Sequence, residues 1–310
     1  MINANKKAII IAGPTASGKT ALSIDIAKEL DGEIVSADSM QIYKYMDIGT
    51  AKPTKSEMQG IKHHMISFVD PKESYSASMY KQDALKCIED IYSRGKTPII
   101  VGGTGLYINA LTYDMDFSNT LRDENYREEL RKYAIDKGNN ELFKLLEDSD
   151  PLAASKLHEN DVKRVIRALE VKKLTGRSLY ENSEAFKEAR PPFPYIYFAL
   201  NLDREVLYER INKRVDIMIE NGLLDEMKTL LDMGLTKQMQ SMQGIGYKQL
   251  FDYFENKISL DEALELIKRE SRRYAKRQLT WFRNDERIIF LDPLASKCFK
   301  NQLMDILNLH

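Results

Sequence analysis

The chain has 310 residues, of which 43% are hydrophobic and 30% are charged, a composition that predicts one large globular domain or a core with a smaller domain. Its net charge of −1, from 46 basic and 47 acidic residues, excludes a general attraction to nucleic acid, so any polyanion site must come from local clusters. No apolar stretch approaches the roughly 18 residues of a membrane span, no signal peptide is recognised, and Cys87 and Cys298 form no metal-ligand pattern. We therefore expect a cytoplasmic protein that does not enter a membrane.

The first predicted elements are a strand, a phosphate-binding loop and a helix. The apolar run Ala8–Ala12 leads into GPTASGKT at 13–20, and a helical stretch follows at Ala21–Leu30. This is the full G-x-x-x-x-G-K-[ST] pattern in the strand–loop–helix context that it requires. Backbone N–H groups of such a loop bind phosphate oxygens, while Lys19 reaches the outer phosphates and the Thr20 hydroxyl is placed to hold Mg²⁺. The sequence therefore predicts binding of a di- or triphosphate.

Strand and helix patterns then alternate up to about residue 115. Glu33–Ser36, His64–Val69 and Pro98–Val101 are predicted strands, and Ser76–Ser93 is a predicted helix. Alternation of this kind predicts an α/β fold, a P-loop NTPase-like core with a mainly parallel sheet flanked by helices.

An acidic residue follows the second predicted strand. Asp38 comes after Glu33–Ser36, on the same sheet edge as the phosphate loop, where its carboxylate could accept a proton from a nucleophile. Residues 38–41, Asp-Ser-Met-Gln, fit equally well a helix N-cap with a capping-box Gln. The residues alone leave both interpretations open.

The strand at Pro98–Val101 ends in a second glycine-rich turn, GGTGLY, where nucleotide-hydrolysing motors commonly carry an Asp. Either the backbone around Thr104 approaches a ligand closely at this edge, or the glycines serve only a strand-to-helix turn. Asp70, before Pro71, is a weaker acidic candidate and more typical of a turn. The pattern favours phosphate binding without strong provision for ATP hydrolysis.

The second half of the chain is mostly helical. A charged, wholly helical pattern extends from Asn119 to about Thr175, and the sequence RPPFPY at 190–195 then breaks the chain. Further strands are predicted at Ile196–Leu202 and Arg287–Leu291. We therefore predict a core formed by residues 1–118 and 193–310, interrupted by an all-helical insertion at 119–192.

Basic residues cluster near the C-terminal end. Residues 268–283 contain seven basic residues and one acid, interleaved with Tyr274 and Trp281. Such a face suits a phosphate backbone and unstacked bases of RNA. The alternative is a solvated helix face with Trp281 and Phe282 in the core. Smaller basic clusters occur at 163–177 and at the i, i+4 pair Arg210 and Arg214.

Together these patterns resemble the tRNA dimethylallyltransferase family, also called tRNA isopentenyltransferases, in its compact bacterial form. The resemblance extends from Lys7 to about Ile289. Val162 replaces a proline common in the family, and no zinc-finger extension follows Leu291. The motifs that carry it are GPTASGKT (13–20), SADSMQIY (36–43), MDIGTAKP (46–53), VGGTGLY (101–107), NDVKRVIRALEV (160–171), QGIGYK (243–248) and KRQLTWFR (276–283).

The resemblance implies a reaction and a set of roles. Family members transfer a dimethylallyl group from dimethylallyl diphosphate to N6 of an adenosine beside the anticodon in tRNA and release pyrophosphate. The phosphate loop would hold the diphosphate with Mg²⁺ and without ATP, Asp38 would be the general base, and Arg214 would stabilise the departing pyrophosphate. The insertion would close over the anticodon stem-loop, and we expect a monomer.

The implied site residues fall into three groups. The diphosphate-binding residues are Gly13, Pro14, Thr15, Ala16, Ser17, Gly18, Lys19 and Thr20. The catalytic residues are Lys19, Thr20, Asp38, Thr104 and Arg214, with Thr20 also the metal ligand. The tRNA-binding residues are Asp38, Ser39, Met40, Gln41, Thr104, Arg127, Asn160, Asp161, Val162, Lys163, Arg164, Gln243, Gly244, Ile245, Gly246, Tyr247, Lys248, Lys276, Arg277, Gln278, Leu279, Thr280, Trp281, Phe282 and Arg283.

Three other functions share part of this pattern. A small-molecule phosphotransferase would use the phosphate loop but has no use for the aromatic and basic residues at 274–283. An enzyme that prenylates AMP would explain the pocket but not the basic helices or the insertion. A non-catalytic RNA-binding switch gated by nucleotide would explain the basic helices without chemistry.

Overall fold

The computed structural model describes residues 7–113, 123–181 and 191–294 of the chain. The chain divides into two compact units, one formed by Met1–Thr112 and Pro192–His310 and the other by Tyr113–Pro191. The smaller unit thus begins earlier than residue 119, where the sequence pattern placed the start of the insertion. Cys298 and Arg190 lie outside the described residues.

The secondary structure consists of six strands and a larger number of helices in the described ranges. The strands are β1 (Ala8–Ala12), β2 (Gly32–Ser36), β3 (His63–His64), β4 (Thr97–Gly102), β5 (Tyr195–Leu200) and β6 (Ile289–Leu291). The helices are α1 (Lys19–Glu29), α2 (Lys55–Met58), α3 (Ala77–Ser93), α4 (Gly105–Thr112), α5 (Glu124–Lys137), α6 (Asn139–Ser149), α7 (Pro151–Ala154), α8 (Val162–Thr175), α9 (Arg204–Glu220), α10 (Leu223–Asp232), a 3₁₀ turn (Ser241–Gln243), α11 (Tyr247–Phe254) and α12 (Leu260–Arg283).

The six strands form one sheet in the order β3-β2-β4-β1-β5-β6, with every pairing parallel. From β1 the chain moves to β2 and β3 on one side, returns to β4 between β2 and β1, and then adds β5 on the far side of β1. Ligands of open parallel sheets bind beyond the carboxyl ends of the strands at such a reversal. The predicted α/β fold is confirmed, and its topology places a crevice beyond β1 and β4.

Helices on both faces explain why the central strands are continuous apolar runs. Ile9 and Ile11 of β1 pack in one buried cluster with Ile24 and Ile26 of α1. Ile10 belongs to the larger cluster on the opposite face, which includes the inward side of α3. A strand that is covered on both sides has no solvated face, so its sequence does not alternate.

The predicted strand His64–Val69 is wrong over most of its length. The strand contains only His63 and His64, and Val69 makes an isolated bridge with Tyr43. Met65 and Ser67 adopt φ angles of 60° and 52°, which an extended strand cannot contain. The segment therefore turns after His64 and pairs again through the isolated bridge at Val69.

The smaller unit contains helices joined by turns in its described residues 123–181 and has a core of its own. Leu142, Leu146 and Val165 of α6 and α8 are almost completely buried in it. Glu170 of α8 is fully buried, and its carboxylate accepts hydrogen bonds from the Arg127 guanidinium at 2.8 and 2.7 Å. No helix in the described parts of the chain is long and apolar enough to cross a membrane.

Candidate active site

The phosphate loop between β1 and α1 forms a preorganised concavity. Gly13, Ala16 and Gly18 have φ angles of 145°, 62° and 94°, and this left-handed backbone curls the loop back on itself. Gly18 directly precedes α1, so the first N–H groups of that helix point into the concavity. The Ser17 hydroxyl is buried and has no hydrogen-bond partner in the described structure. These features are typical of an anion-binding loop, and the Ser17 hydroxyl is free to donate a hydrogen bond to a bound anion.

Two cations face the pocket beside this cradle. Lys19 Nζ donates a hydrogen bond to Pro14 O at 2.6 Å, and Arg214 of α9 donates one to Ala51 O at 3.4 Å. Neither cation forms a salt bridge with an acidic side chain of the described residues. Burial, followed by the Arg214 charge, lowers the pKa of Lys19 to about 7, although Asp38 acts in the opposite direction. Burial likewise lowers the pKa of Arg214. The pair is electrostatically unfavourable without an anion between its members.

Asp38 lies in a turn that lines the same pocket. Its Oδ1 accepts hydrogen bonds from the N–H groups of Met40 and Gln41 at 2.9 and 3.3 Å. Residues 38–42 form turns and no helix begins there, so the predicted helix cap is wrong, although the hydrogen bonds are of the capping kind. Oδ2 makes no hydrogen bond to any residue in the described ranges. One carboxylate oxygen is thus fixed by the backbone while the other can accept a proton.

The glycine-rich turn after β4 holds the Asp38 turn in place. A Cβ on Gly102 would overlap Ala37 O, so the backbones of these two segments are in direct contact. Thr104 N–H donates to Ala37 O at 3.1 Å, and the Thr104 hydroxyl accepts from Ser39 N–H at 3.0 Å. The glycines therefore serve close packing, and through Thr104 the turn also positions the acidic segment.

These groups open into one pocket of about 410 Å³ within the larger unit. Lys19, Asp38 and Arg214 line its polar part. An apolar wall is formed by Ile211, Val215 and Met218 of α9 and by Ile267 of α12. A pocket with this division suits a ligand that has an anionic end and a small hydrocarbon part.

Helix α12 has two different faces. Lys276, Arg277, Thr280 and Arg283 are exposed, and Trp281 is 39% exposed. Arg277 also lines the pocket, whereas the other positions agree with an outward surface for RNA, which remains a prediction.

Two residues predicted to contact tRNA lie on the inner face of α12. Phe282 is completely buried in the main core, and Gln278 is 6% exposed with its amide inside the pocket region. Neither side chain lies on the exposed face of the helix, although Gln278 lines the pocket, and their contact with tRNA stays a prediction. Leu279 is half-buried.

The segment 243–248 closes another side of the pocket. Gln243, Gly244, Ile245 and Gly246 line it, while Lys248 is exposed. Tyr247 is 1% exposed, and its predicted contact with tRNA stays a prediction.

Glu226 is a residue of this region that no sequence motif indicated. Its carboxylate accepts hydrogen bonds from the N–H groups of Asp47, Ile48 and Gly49 at 2.7, 2.7 and 2.9 Å, and from the Tyr247 hydroxyl at 2.6 Å. It therefore fixes the loop whose residues Gly49–Ala51 line the pocket. An isolated Glu on a helix gives no signal of this role in the sequence.

The predicted tRNA contacts of the smaller unit lie at the start of α8. Asn160, Asp161, Lys163 and Arg164 are exposed and Val162 is half-buried. Arg127 instead forms the two-pronged pair with buried Glu170, which gives its guanidinium a structural task whatever else it contacts.

A family model described as IPP transferase matches residues 41–285. A tRNA dimethylallyltransferase of Acetivibrio thermocellus is 51% identical over 284 residues, which cover 92% of this chain and 91% of that protein.

Solved structures give the same result. The tRNA isopentenylpyrophosphate transferase of Bacillus halodurans matches with a TM-score of 0.73 and 44% identity, covering 98% of this chain and 95% of that one. A eukaryotic dimethylallyltransferase acting on tRNA matches with a TM-score of 0.78 and 32% identity, covering 97% of this chain and 78% of that one. The chain therefore belongs to the IPP transferase family and is a prenyltransferase of the kind that modifies tRNA.

Proposed function

We propose that this protein transfers a dimethylallyl group from dimethylallyl diphosphate to N6 of the adenosine next to the anticodon in tRNA, with release of pyrophosphate. The observation that carries the proposal is the composition of the pocket. Lys19 and Arg214 form a cationic end without an acidic ion-pair partner in the described residues, an apolar wall adjoins it, and Asp38 lines the same pocket. A diphosphate removes the repulsion between the cations, and a five-carbon chain fits the apolar wall.

The donor would bind with its diphosphate in the loop Gly13–Thr20. Backbone N–H groups, Lys19 and Arg214 then face the oxygen atoms on which negative charge develops as the C–O bond breaks. Donors fixed before the reaction stabilise this charge without having to reorganise. Ile211, Val215 and Met218 would surround the allyl group and keep water from the reacting carbon.

The acceptor would approach from the side of Asp38. The N6 nitrogen forms a bond to C1 of the allyl group, and the electron pair of the C1–O bond leaves with pyrophosphate. The nitrogen becomes cationic and passes a proton to Asp38 Oδ2, while the backbone bonds of Met40 and Gln41 keep the carboxylate oriented. The adenine must leave its stack to reach this carbon, which costs least in a single-stranded loop.

The residues also fit Mg²⁺. Thr20 is exposed at the start of α1, and its hydroxyl makes no hydrogen bond to another described residue. Within the described ranges no three His, Cys, Asp or Glu side chains form a metal-binding group. Mg²⁺ commonly takes few protein ligands and completes its shell with phosphate oxygens and water. When bound, Mg²⁺ neutralises charge on the diphosphate.

The tRNA would contact the exposed face of α12 and the start of α8. Lys276 and Arg277 form no salt bridge with an acidic side chain in the described part of the chain, and Trp281 offers a partly exposed ring beside them. We expect a monomer that acts in the cytoplasm, with the smaller unit gripping the anticodon stem-loop.

Incubation with radiolabelled dimethylallyl diphosphate tests the proposal. The protein is given the donor with tRNA, with AMP or with neither, and a parallel sample is given ATP. We expect label in tRNA alone and no ATP turnover. Label in AMP would favour the free-nucleotide prenyltransferase, ATP turnover would favour a phosphotransferase, and neither reaction would favour an RNA-binding switch.

A further inference from the structure

Gln278 of α12 connects two neighbouring loops that both line the pocket. Its side-chain Oε1 accepts a hydrogen bond from the Thr15 N–H at 3.1 Å, and its Nε2 donates one to Gly103 O at 2.8 Å. The side chain is 6% exposed, whereas Lys276 and Arg277 just before it on the helix are exposed. The residue therefore lies in the basic motif but points to the inside of the protein.

The two ends of this bridge belong to the two halves of the site. Thr15 is part of the phosphate loop, which faces the leaving group. Gly103 precedes Thr104, whose N–H and hydroxyl hold Ala37 and Ser39 on either side of Asp38. One amide group thus links the donor loop to the turn that holds the acidic segment.

The chemistry of the bridge requires a side chain that both accepts and donates. The Thr15 N–H needs an acceptor, and Gly103 O needs a donor, so the two partners assign the amide oxygen and nitrogen. The space is also limited, since a Cβ on Gly103 would overlap Gln278 Nε2 and lie 3.2 Å from Gly13 O. A methionine fills a similar volume but can make neither hydrogen bond.

We infer that Gln278 is a positioning residue for the transfer reaction, which holds the phosphate loop at a fixed distance from the acidic turn, and that it is not a contact to RNA. The inference rests on the proposed function. Displacement of reacting groups by about 1 Å costs as much as 100-fold in rate without an equal loss of binding. The expected signature is therefore a fall in kcat with little change in the affinity for either substrate.

Gln278→Met tests the inference, with Gln240→Met as a matched control. Gln240 also accepts from and donates to backbone, bonding Tyr75 N–H at 3.2 Å and Tyr75 O at 2.8 Å, but it lies outside the pocket lining. Single-turnover transfer is measured at saturating donor and tRNA, together with thermal melting and calorimetric binding of pyrophosphate and of an anticodon stem-loop RNA. We expect Gln278→Met to lower the transfer rate by about 10- to 100-fold, with pyrophosphate and RNA affinities within about threefold of wild type.

Gly103→Ala tests the same bridge from its other end and keeps the inference testable if Gln278→Met folds poorly. The added methyl group should displace the Gln278 amide and lower the rate in the same way. In the double variant the two effects should not add, because both break one interaction. A Gln278→Met rate within about twofold of the Gln240→Met rate would overturn the inference, as would a selective loss of RNA affinity. Absence of transfer by the wild-type protein would instead contradict the proposed function.

Discussion

Lys19, Arg214 and Asp38 show how single side chains prepare this pocket for an anion. Each cation is held by one backbone carbonyl, Pro14 O or Ala51 O, which orients the side chain without neutralising its charge. Asp38 is held in turn by backbone N–H groups that leave one oxygen open to the pocket. No salt bridge among the described residues neutralises these side chains. A bound diphosphate can therefore pair with the two cations, and a reacting amine can pair with Asp38.

At this scale we predict that Asp38→Asn lowers the single-turnover transfer rate by roughly 10²- to 10⁴-fold, the usual contribution of a general base. Asn keeps the size of the side chain and can still accept the hydrogen bonds of Met40 and Gln41, so the turn should persist. Thermal melting and pyrophosphate binding serve as controls and should be nearly unchanged. A variant that transfers at the wild-type rate would show that the base is another group.

The lowered pKa of Lys19, about 7, predicts that pyrophosphate binding depends on pH. Below pH 7 the ammonium group is charged in the uncomplexed protein and binds the anion. As the pH rises through 7, Lys19 loses its proton in the free protein. Because pyrophosphate binds the protonated form, binding then requires uptake of a proton, so the pyrophosphate affinity should fall by up to about tenfold per pH unit.

Calorimetry of wild type and Lys19→Ala in the same buffers checks this prediction, because the ionisation of pyrophosphate itself is common to both. The variant should bind weakly with a flatter pH profile and keep its affinity for the anticodon stem-loop. Parallel pH profiles for the two proteins would contradict the role of Lys19.

At the scale of elements, α12 joins an outer basic face to an inner face that closes the pocket. Gln278 and Phe282 are buried, while Lys276, Arg277 and Thr280 are exposed. A helix changes face within two residues, so a motif read as one block contains residues with opposite surroundings. The sequence predicted the helix and its basic character, but not which members face the solvent.

We predict that Lys276→Glu and Arg277→Glu each weaken tRNA binding whatever the tRNA sequence. Each should reduce the slope of log binding constant against log salt concentration by about one. Arg273, in contrast, is already paired with Glu270 at 2.7 Å, so its reversal should have a smaller effect. Binding of an anticodon stem-loop is measured over a range of salt concentrations. The control is Lys86→Glu, an exposed position on α3, which should leave the slope unchanged. Unchanged slopes in the α12 variants would mean that this face is only solvated surface.

Across the whole molecule, the sequence predicted the parts that follow from repeated local patterns. Buried apolar runs such as Ala8–Ala12 predicted the parallel sheet, and the complete phosphate-loop motif predicted one wall of the pocket. The strand expected at His64–Val69 failed because positive φ angles at Met65 and Ser67 have no signal in residue type. Glu226 was missed for a related reason, since its partners at 47–49 are distant in sequence and are backbone groups.

The division into two units predicts that donor and RNA binding can be separated. Among the residues that the structure describes, all those that line the pocket and all six strands of the sheet lie in the larger unit. We therefore expect that replacement of residues 114–190 by a flexible Gly/Ser linker of about 20 residues leaves pyrophosphate affinity within about threefold of wild type.

The same replacement should greatly weaken binding of the anticodon stem-loop, because it removes the exposed residues 160–164 at the start of α8 along with the rest of the smaller unit. Calorimetry with pyrophosphate and a filter assay with labelled stem-loop measure the two affinities on one preparation. Lys19→Ala is the complementary control, since it should weaken the first affinity and keep the second. If the linker variant melts as wild type does but loses pyrophosphate binding, the pocket depends on the smaller unit, and the two sites are not separable.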